Sequence, residues 1–205
     1  MKETKVFLIG GPPGAGKTTL GKNLAVRLGI TSLTIDDLMI ATRAVTTSAT
    51  HPELHIMSTG DPIGYFTMNT SEKLITDARI QHEATWPAVE KVIRAHASDW
   101  GSPIAIDGWA MHPEWVAGLG LENVMSFWLV IDPKVLESRE RKNTDFFGQS
   151  DDQERLFKNF MERSLWFNEL VEKEAGSLGL KILYQDGSVT TDALIDEILK
   201  FTNRQ

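Results

Sequence analysis

Gly10-Gly11-Pro12-Pro13-Gly14-Ala15-Gly16-Lys17-Thr18-Thr19 is the stretch whose reading decides the fold. From Gly11 through four residues to Gly16-Lys17-Thr18 it carries the full phosphate-loop pattern, and its surroundings fit. Val6-Phe7-Leu8-Ile9 before it is a short apolar, partly β-branched run, as expected of a buried parallel strand. After Lys17, leucines recur at Leu20, Leu24 and Leu28, a helical spacing that stops at Gly29. Glycines let backbone approach phosphate oxygens without side-chain clashes. Consecutive N–H groups then form an anion nest at the positive end of the helix dipole. Gly11 to Thr19 is therefore the expected nucleotide-phosphate cradle. Lys17 is expected to reach the β- and γ-phosphates, and the Thr18 hydroxyl to ligate Mg²⁺.

Working outward, four more strands alternate with helices. Ser32 to Ile35 reads as the second strand, ending at Asp36-Asp37, with helix from Leu38 to Arg43. Ala44 to Thr70 is rich in Thr, Ser, His, Pro and Gly, long for a connection, and expected to be irregular with one or two short helices. A helical pattern runs from Ser71 to about Ser98, and Pro87 should kink or split it. Pro103 to Ile106 is the third strand, closed by Asp107-Gly108, and a short helix follows at Pro113 to Ala117. Val124 to Ile131 is the fourth strand and leads into helix from Pro133 to Lys142. Asn143 to Asp152 is polar and contains Gly148. A long helix covers Gln153 to Gly176, Leu180 to Tyr184 is the fifth strand, and Asp186-Gly187-Ser188 is a turn. Thr190 caps the last helix, whose buried face holds Leu194, Ile195, Ile198 and Leu199. This alternation predicts an α/β, three-layer fold: a five-stranded parallel sheet with helices on both faces. The strand ends then bring the phosphate loop, Asp36 and Asp107 to one carboxyl edge.

The 205 residues suit a single domain spanning 1–205. No apolar run reaches membrane-span length, and the first strand begins too early to leave room for a signal peptide. The absence of cysteine excludes disulfides and thiolate metal sites and fits a reducing cytoplasm. A net charge of −7 argues against a nucleic-acid or membrane surface. Asp61-Pro62-Ile63-Gly64 matches a short GTPase pattern, but it follows no apolar strand and no guanine motif accompanies it.

The phosphate loop, the acids after strands two and three, the Arg-bearing helix after strand four and the strand-Asp186-Gly187-Ser188-helix ending resemble a known group. They look like the nucleoside-monophosphate-kinase-like P-loop kinases: shikimate and gluconate kinases, 2-phosphoglycerate-kinase-like proteins and zeta-toxin kinases. The resemblance implies strand order 2-3-1-4-5, ATP or ADP with Mg²⁺, and a small-molecule phosphoryl acceptor. It implies Lys17, Asp36 and Arg139 as the catalytic set. Asp36 would orient the acceptor hydroxyl or take its proton, or else cap the following helix. Asp107 would hold Mg²⁺ with Thr18, or serve as a turn residue.

Arg139 and Arg141 flank a short lid, expected at 143–152, and cannot point the same way on a helix. Arg139 is the preferred phosphate ligand, with Asp186 and Gly187 beside the nucleotide. The acceptor region is expected within 36–100. Arg43, Arg79 and Trp109 are candidate acceptor ligands beside Asp36. Arg79 shares a helical stripe with His82 and Trp86, and His112 reads as a structural histidine before a ligand. The competing functions are a non-catalytic ATP/ADP-binding module and a zeta-toxin-like kinase of nucleotide sugars.

Overall fold

A computed structural model describes residues 3–57 and 60–203. Its centre is a parallel five-stranded sheet: β1 Val6–Gly10, β2 Thr31–Thr34, β3 Ile104–Gly108, β4 Val124–Ile131 and β5 Lys181–Gln185. The order is β2-β3-β1-β4-β5, as the resemblance implies. β1 and β3 are buried along their whole length, as continuous apolar runs require when helices cover both sheet faces.

Side-chain alternation sorts the two faces. Phe7 and Ile9 of β1, with Phe127, Leu129 and Ile131 of β4, pack with Leu20 and Leu24 of α1 Lys17–Leu28. The same cluster takes Leu194, Ile195 and Ile198 from the last helix, Thr191–Thr202. Val6 and Leu8, with Trp128 and Val130, pack on the other face. Their partners there are Val89 and Ile93 of α4 Ser71–Ala97, and Phe167, Val171 and Ala175 of α8 Gln153–Ser177. Gly10 is needed for this packing, because a Cβ there would lie 2.2 Å from the Trp128 ring.

Between these come α2 Ile35–Ala44, α3 Pro62–Met68, α5 Pro113–Ala117, α6 Pro133–Glu140 and α7 Thr144–Phe147. A 3-10 turn at Pro52–His55 and α3 are the short helices expected in the long connection. Two local readings change. β2 ends one residue earlier than expected, because the Thr34 hydroxyl accepts from the Asp36 amide and starts α2 at Ile35. Asp36 therefore sits in the first helical turn, not at a strand end. Pro87 does not split α4, which runs unbroken over 27 residues. Pro87 and Glu83, whose carbonyl loses its helical donor, both face solvent, where water can replace the bond.

The register fixes the site. Ile9 and Thr34 flank Asp107, and Gly10 lies beside Gly108. The carboxyl ends of β1, β3 and β2 thus place the phosphate loop, Asp107 and the start of α2 side by side.

Candidate active site

The loop after β1 turns through Gly11, Gly14 and Gly16, all at positive φ. Gly16 caps α1 at φ 94° with nothing but Arg139 Nη1, at 3.9 Å, near its missing Cβ, so the constraint is conformational and the space above is open. Gly11 is required by proximity as well: a Cβ would meet the Leu129 carbonyl at 2.5 Å.

The catalytic candidates follow from that frame. Lys17 is buried, and its Nζ donates to the Pro12 carbonyl at 2.8 Å. Burial pulls its pKa down to about 8, against the opposing pull of Asp107 and Asp36. The Thr18 hydroxyl donates to Asp107 Oδ2 at 2.7 Å. Asp107 closes β3 from inside the strand rather than after it, and it is 2 % exposed. Desolvation raises its pKa, and the Thr18 hydrogen bond and Lys17 act the other way. Asp36 is exposed at the start of α2 and close enough to perturb both Lys17 and Asp107. Thr18 and Asp107 supply adjacent oxygens. That suits Mg²⁺, which takes one or two protein oxygens and completes its shell with phosphates and water. Among the described residues no cluster of three or more His, Asp or Glu side chains offers an all-protein metal site.

Arg139 and Arg141 diverge as one-residue spacing on a helix demands. Arg139 Nη1 reaches the Gly14 and Ala15 carbonyls at 3.4 and 3.5 Å. Arg141 turns outward to Glu137 and Glu154 and lies over the Phe157 ring. α6 bridges to the last strand's loop: Leu136 lies under Gly14, and Val135 lies under Gly187. The Asp186 carboxylate closes its own turn, accepting from the Ser188 amide and hydroxyl and the Val189 amide. What Asp186 and Gly187 can offer a nucleotide there is backbone and shape.

The segment 143–152 is less uniformly polar in the fold than its sequence suggests. α7 buries Phe147 against Phe157 and Phe160, while Gly148 and Gln149 remain exposed.

A crevice of about 490 Å³ lies between the phosphate loop, α2, Gln81 of α4 and Arg163 of α8. It gathers Pro13, Gly14, Lys17, Thr18, Asp36, Arg43, Asp107 and Trp109 from the sequence-derived set. Arg79 lies outside it, stacked on Trp166 with its guanidinium 5.1 Å from the ring. His82 and Trp86 share its stripe but serve an aromatic core. His82 packs edge-on against Trp109, and Trp86 packs on Trp115. His112 is buried, stacked on Trp115 at 3.9 Å and hydrogen-bonded to His82 at 3.1 Å, a structural role. Burial lowers the pKa of both histidines, His112 to about 4.

The cationic residue the sequence reading missed is Arg163, in the middle of α8. Its helical stripe, Leu156, Asn159, Arg163, Phe167 and Val171, is buried throughout. A charge at an apolar stripe position was the available signal. A larger hollow of about 1130 Å³ at the opposite end of the strands, lined by Phe7, Leu28, Ile30, Met125 and Phe201, holds none of these residues.

The architecture, a parallel sheet of order β2-β3-β1-β4-β5 with helices on both faces, matches the fold of P-loop kinases. No family model matches the chain, and no curated protein matches it in sequence. Solved structures do. A gluconokinase from Sinorhizobium meliloti 1021 aligns with TM-score 0.58 at 17% identity, over 98% of this chain and 92% of its own. A sugar kinase from Janibacter sp. HTCC2649 aligns with TM-score 0.56 at 17% identity, covering 98% and 95%. The shikimate kinase from Bacteroides thetaiotaomicron gives 0.55 at 17%, covering 98% of each chain. Likeness at that identity shows the shared fold, and function has to be argued from the site.

Proposed function

We propose that the chain is an Mg²⁺-dependent kinase that moves the γ-phosphoryl group of ATP to a hydroxyl or phosphate of a small metabolite. One observation carries this reading. A phosphate loop with Lys17, the Thr18–Asp107 pair, Asp36 and Trp109 line one crevice, and Arg139 reaches across the loop backbone at its edge. A passive nucleotide binder needs the loop but not an exposed carboxylate opposite it. Names borne by the structural neighbours, gluconokinase and shikimate kinase, favour the same class.

In the proposed reaction the acceptor oxygen forms a bond to γ-phosphorus as the bond to the β–γ bridging oxygen breaks. ADP leaves with that electron pair, and a hydroxyl acceptor's proton passes to the Asp36 carboxylate and then to water. Lys17 exchanges the Pro12 carbonyl for phosphate oxygens. Thr18 and Asp107 would hold Mg²⁺, which supplies charge neutralisation on the phosphates. Arg139 exchanges the Gly14 and Ala15 carbonyls for the transferring group. Asp186 and Gly187 border the nucleotide through backbone. The 143–152 segment, anchored at Phe147, is the proposed lid that keeps water from the phosphates. The acceptor region draws on 36–100, and a cysteine-free chain of this class fits the cytoplasm. Among the described residues no helix is long and apolar enough to cross a membrane.

The test is to follow ADP release with a panel of hydroxylated metabolites, for the wild type and Asp36→Asn. The amide keeps the shape of the carboxylate but cannot take the proton, so turnover should fall about 100-fold or more. MgADP affinity should hold within about twofold, since Asp36 touches no phosphate in this scheme. Equal losses of ADP affinity and turnover would make Asp36 a nucleotide-site residue. A wild type that does not bind MgADP would remove the kinase reading altogether.

A further inference from the structure

Among the described residues Arg163 is a buried cation without a counter-ion. Its residue is 5 % exposed, and its Nε has no hydrogen-bond partner among the described residues. The guanidinium lies between two aromatic faces, 4.4 Å from the Phe66 ring centroid and 4.7 Å from that of Trp109. Its one polar contact among the described residues is weak, Nη1 to the Met57 sulfur at 3.7 Å. No ion pair among the described residues includes it. Asp77 on α4 is committed elsewhere: it takes both the Lys73 ammonium and the Tyr65 hydroxyl. Tyr65 keeps its proton, because burial and Asp77 raise its pKa, so it gives Arg163 no negative charge.

Leaving a guanidinium buried and unpaired is costly, and aromatic faces offset that only in part. Folding alone gives no reason to keep the charge, since Met or Leu would fill the space between Phe66 and Trp109 without the penalty. Burial pulls the pKa of Arg163 down to about 10, so it is charged at neutral pH. The group also has an outlet, for Arg163 lines the crevice together with Trp109, Met57, Gln81 and Arg43. Arg43 is half-buried there and lies outside every ion pair among the described residues. The acids of the crevice are grouped elsewhere. Asp36 and Asp107 act electrostatically on Lys17, and neither acid acts on Arg163. The crevice thus holds acids that bear on Lys17 together with two arginines, Arg163 and Arg43, that no ion pair among the described residues neutralises.

We propose that Arg163, with Arg43, anchors an anionic group of the acceptor, so that the acceptor is a small hydroxylated acid or phosphate ester and not a neutral polyol. This rests on the kinase reading and specifies its substrate class. A carboxylate or phosphate oxygen pair matches the planar fork of a guanidinium. An anion held there leaves a hydroxyl on the same short skeleton free to face Asp36 and the γ-phosphate. Met39, Ile40 and Met57 line the same crevice and suit the hydrocarbon part of such a molecule.

The experiment uses matched triplets that differ in one terminal group: glycerate, glycerol and glycerol 3-phosphate, then gluconate, sorbitol and sorbitol 6-phosphate. ADP release is measured with MgATP for each, and binding of each to the nucleotide-free protein is measured by calorimetry. Wild type, Arg163→Met and Arg163→Lys are compared. At least one anionic member is expected to bind and to react about 30-fold or more faster in kcat/KM than its neutral counterpart. Whether the carboxylate or the phosphate member prevails tells the two anion sources apart.

Arg163→Met should lose that preference while keeping MgADP affinity, and it should melt no lower than the wild type without ligand. Arg163→Lys should retain part of the preference through its charge. Neutral polyols used as well as the acids would overturn the assignment while leaving the kinase reading intact. So would anion affinity unchanged in Arg163→Met, or a large fall in its melting temperature, which would mark a structural cation. If MgADP binds but no anion gives heat or turnover, the assignment is equally overturned. Failure of MgADP binding is the separate result that strikes the kinase reading itself.

Discussion

The two ends of the crevice are built on opposite principles. At the phosphate-loop end Lys17, Asp107 and Arg139 each already have a protein partner. Lys17 holds Pro12, Thr18 holds Asp107, and Arg139 holds Gly14 and Ala15. The backbone carbonyls that hold Lys17 and Arg139 are acceptors that phosphate oxygens can replace, so these cations are held in place without ligand. At the proposed acceptor end Arg163 is held by ring faces and a sulfur, with Nε unpaired among the described residues. A site for a ligand common to a whole fold can be self-contained. A site for a particular acceptor can leave part of its bonding to the acceptor itself.

The largest expected effect probes the satisfied end. Lys17→Ala should weaken MgADP binding by about 100- to 1000-fold in calorimetry, because a buried cation facing phosphates has no substitute in the loop. A loss under tenfold would mean that the backbone nest carries the phosphates unaided.

The second effect concerns the wall behind the acceptor end. His82 and His112 are buried and share one hydrogen bond, and the pKa of each lies below its ordinary value of 6.5. With His112 at about 4 when folded, the unfolded chain takes up protons first as pH falls. Its contribution to stability is complete above pH 6.5 and is lost between 6.5 and about 4, by about 3 kcal/mol from this residue alone. Urea unfolding across that range should show the decline, and His112→Gln should flatten it. A wild type equally stable at pH 7 and pH 4.5 would contradict the buried neutral pair.

The smallest effect is a contrast between neighbours. Arg139→Gln should lower kcat about tenfold or more through loss of a charge at the transferring group. Arg141→Gln, which gives up only exposed ion pairs and a ring contact, should change kcat by less than about twofold. Equal effects would show that α6 does not aim one arginine at the loop.

The same asymmetry explains what the sequence made legible. The phosphate loop is contiguous, and its glycines, lysine and threonine are tied to one strand–turn–helix, so local reading reaches Lys17, Thr18 and, through the next strand end, Asp107. β2 was misplaced by one residue because Thr34 offers a cap stronger than the strand tendency of Ile35. Pro87 breaks a helix in isolation, but here its lost bond faces water and its neighbours Thr85 and Val89 are held in the core. The acceptor end is assembled from α2, the segment near Met57, α4 and α8, which no local pattern joins. Arg79 and Arg163 look alike in sequence. Only packing sends the first onto the outside of Trp166 and the second between Phe66 and Trp109. Phe147 likewise shows its anchoring role only once α8 lies against it.

The central claim, that this crevice transfers phosphoryl groups to a small molecule, is met most directly by following the γ-phosphate itself. Phosphorus NMR of MgATP with the wild-type protein and a mixture of small hydroxylated acids would do so. The expected result is a new phosphate-ester resonance growing in step with ADP and absent with Lys17→Ala. Conversion of ATP to ADP and inorganic phosphate alone, or intact ATP under conditions where MgADP is shown to bind, would contradict it.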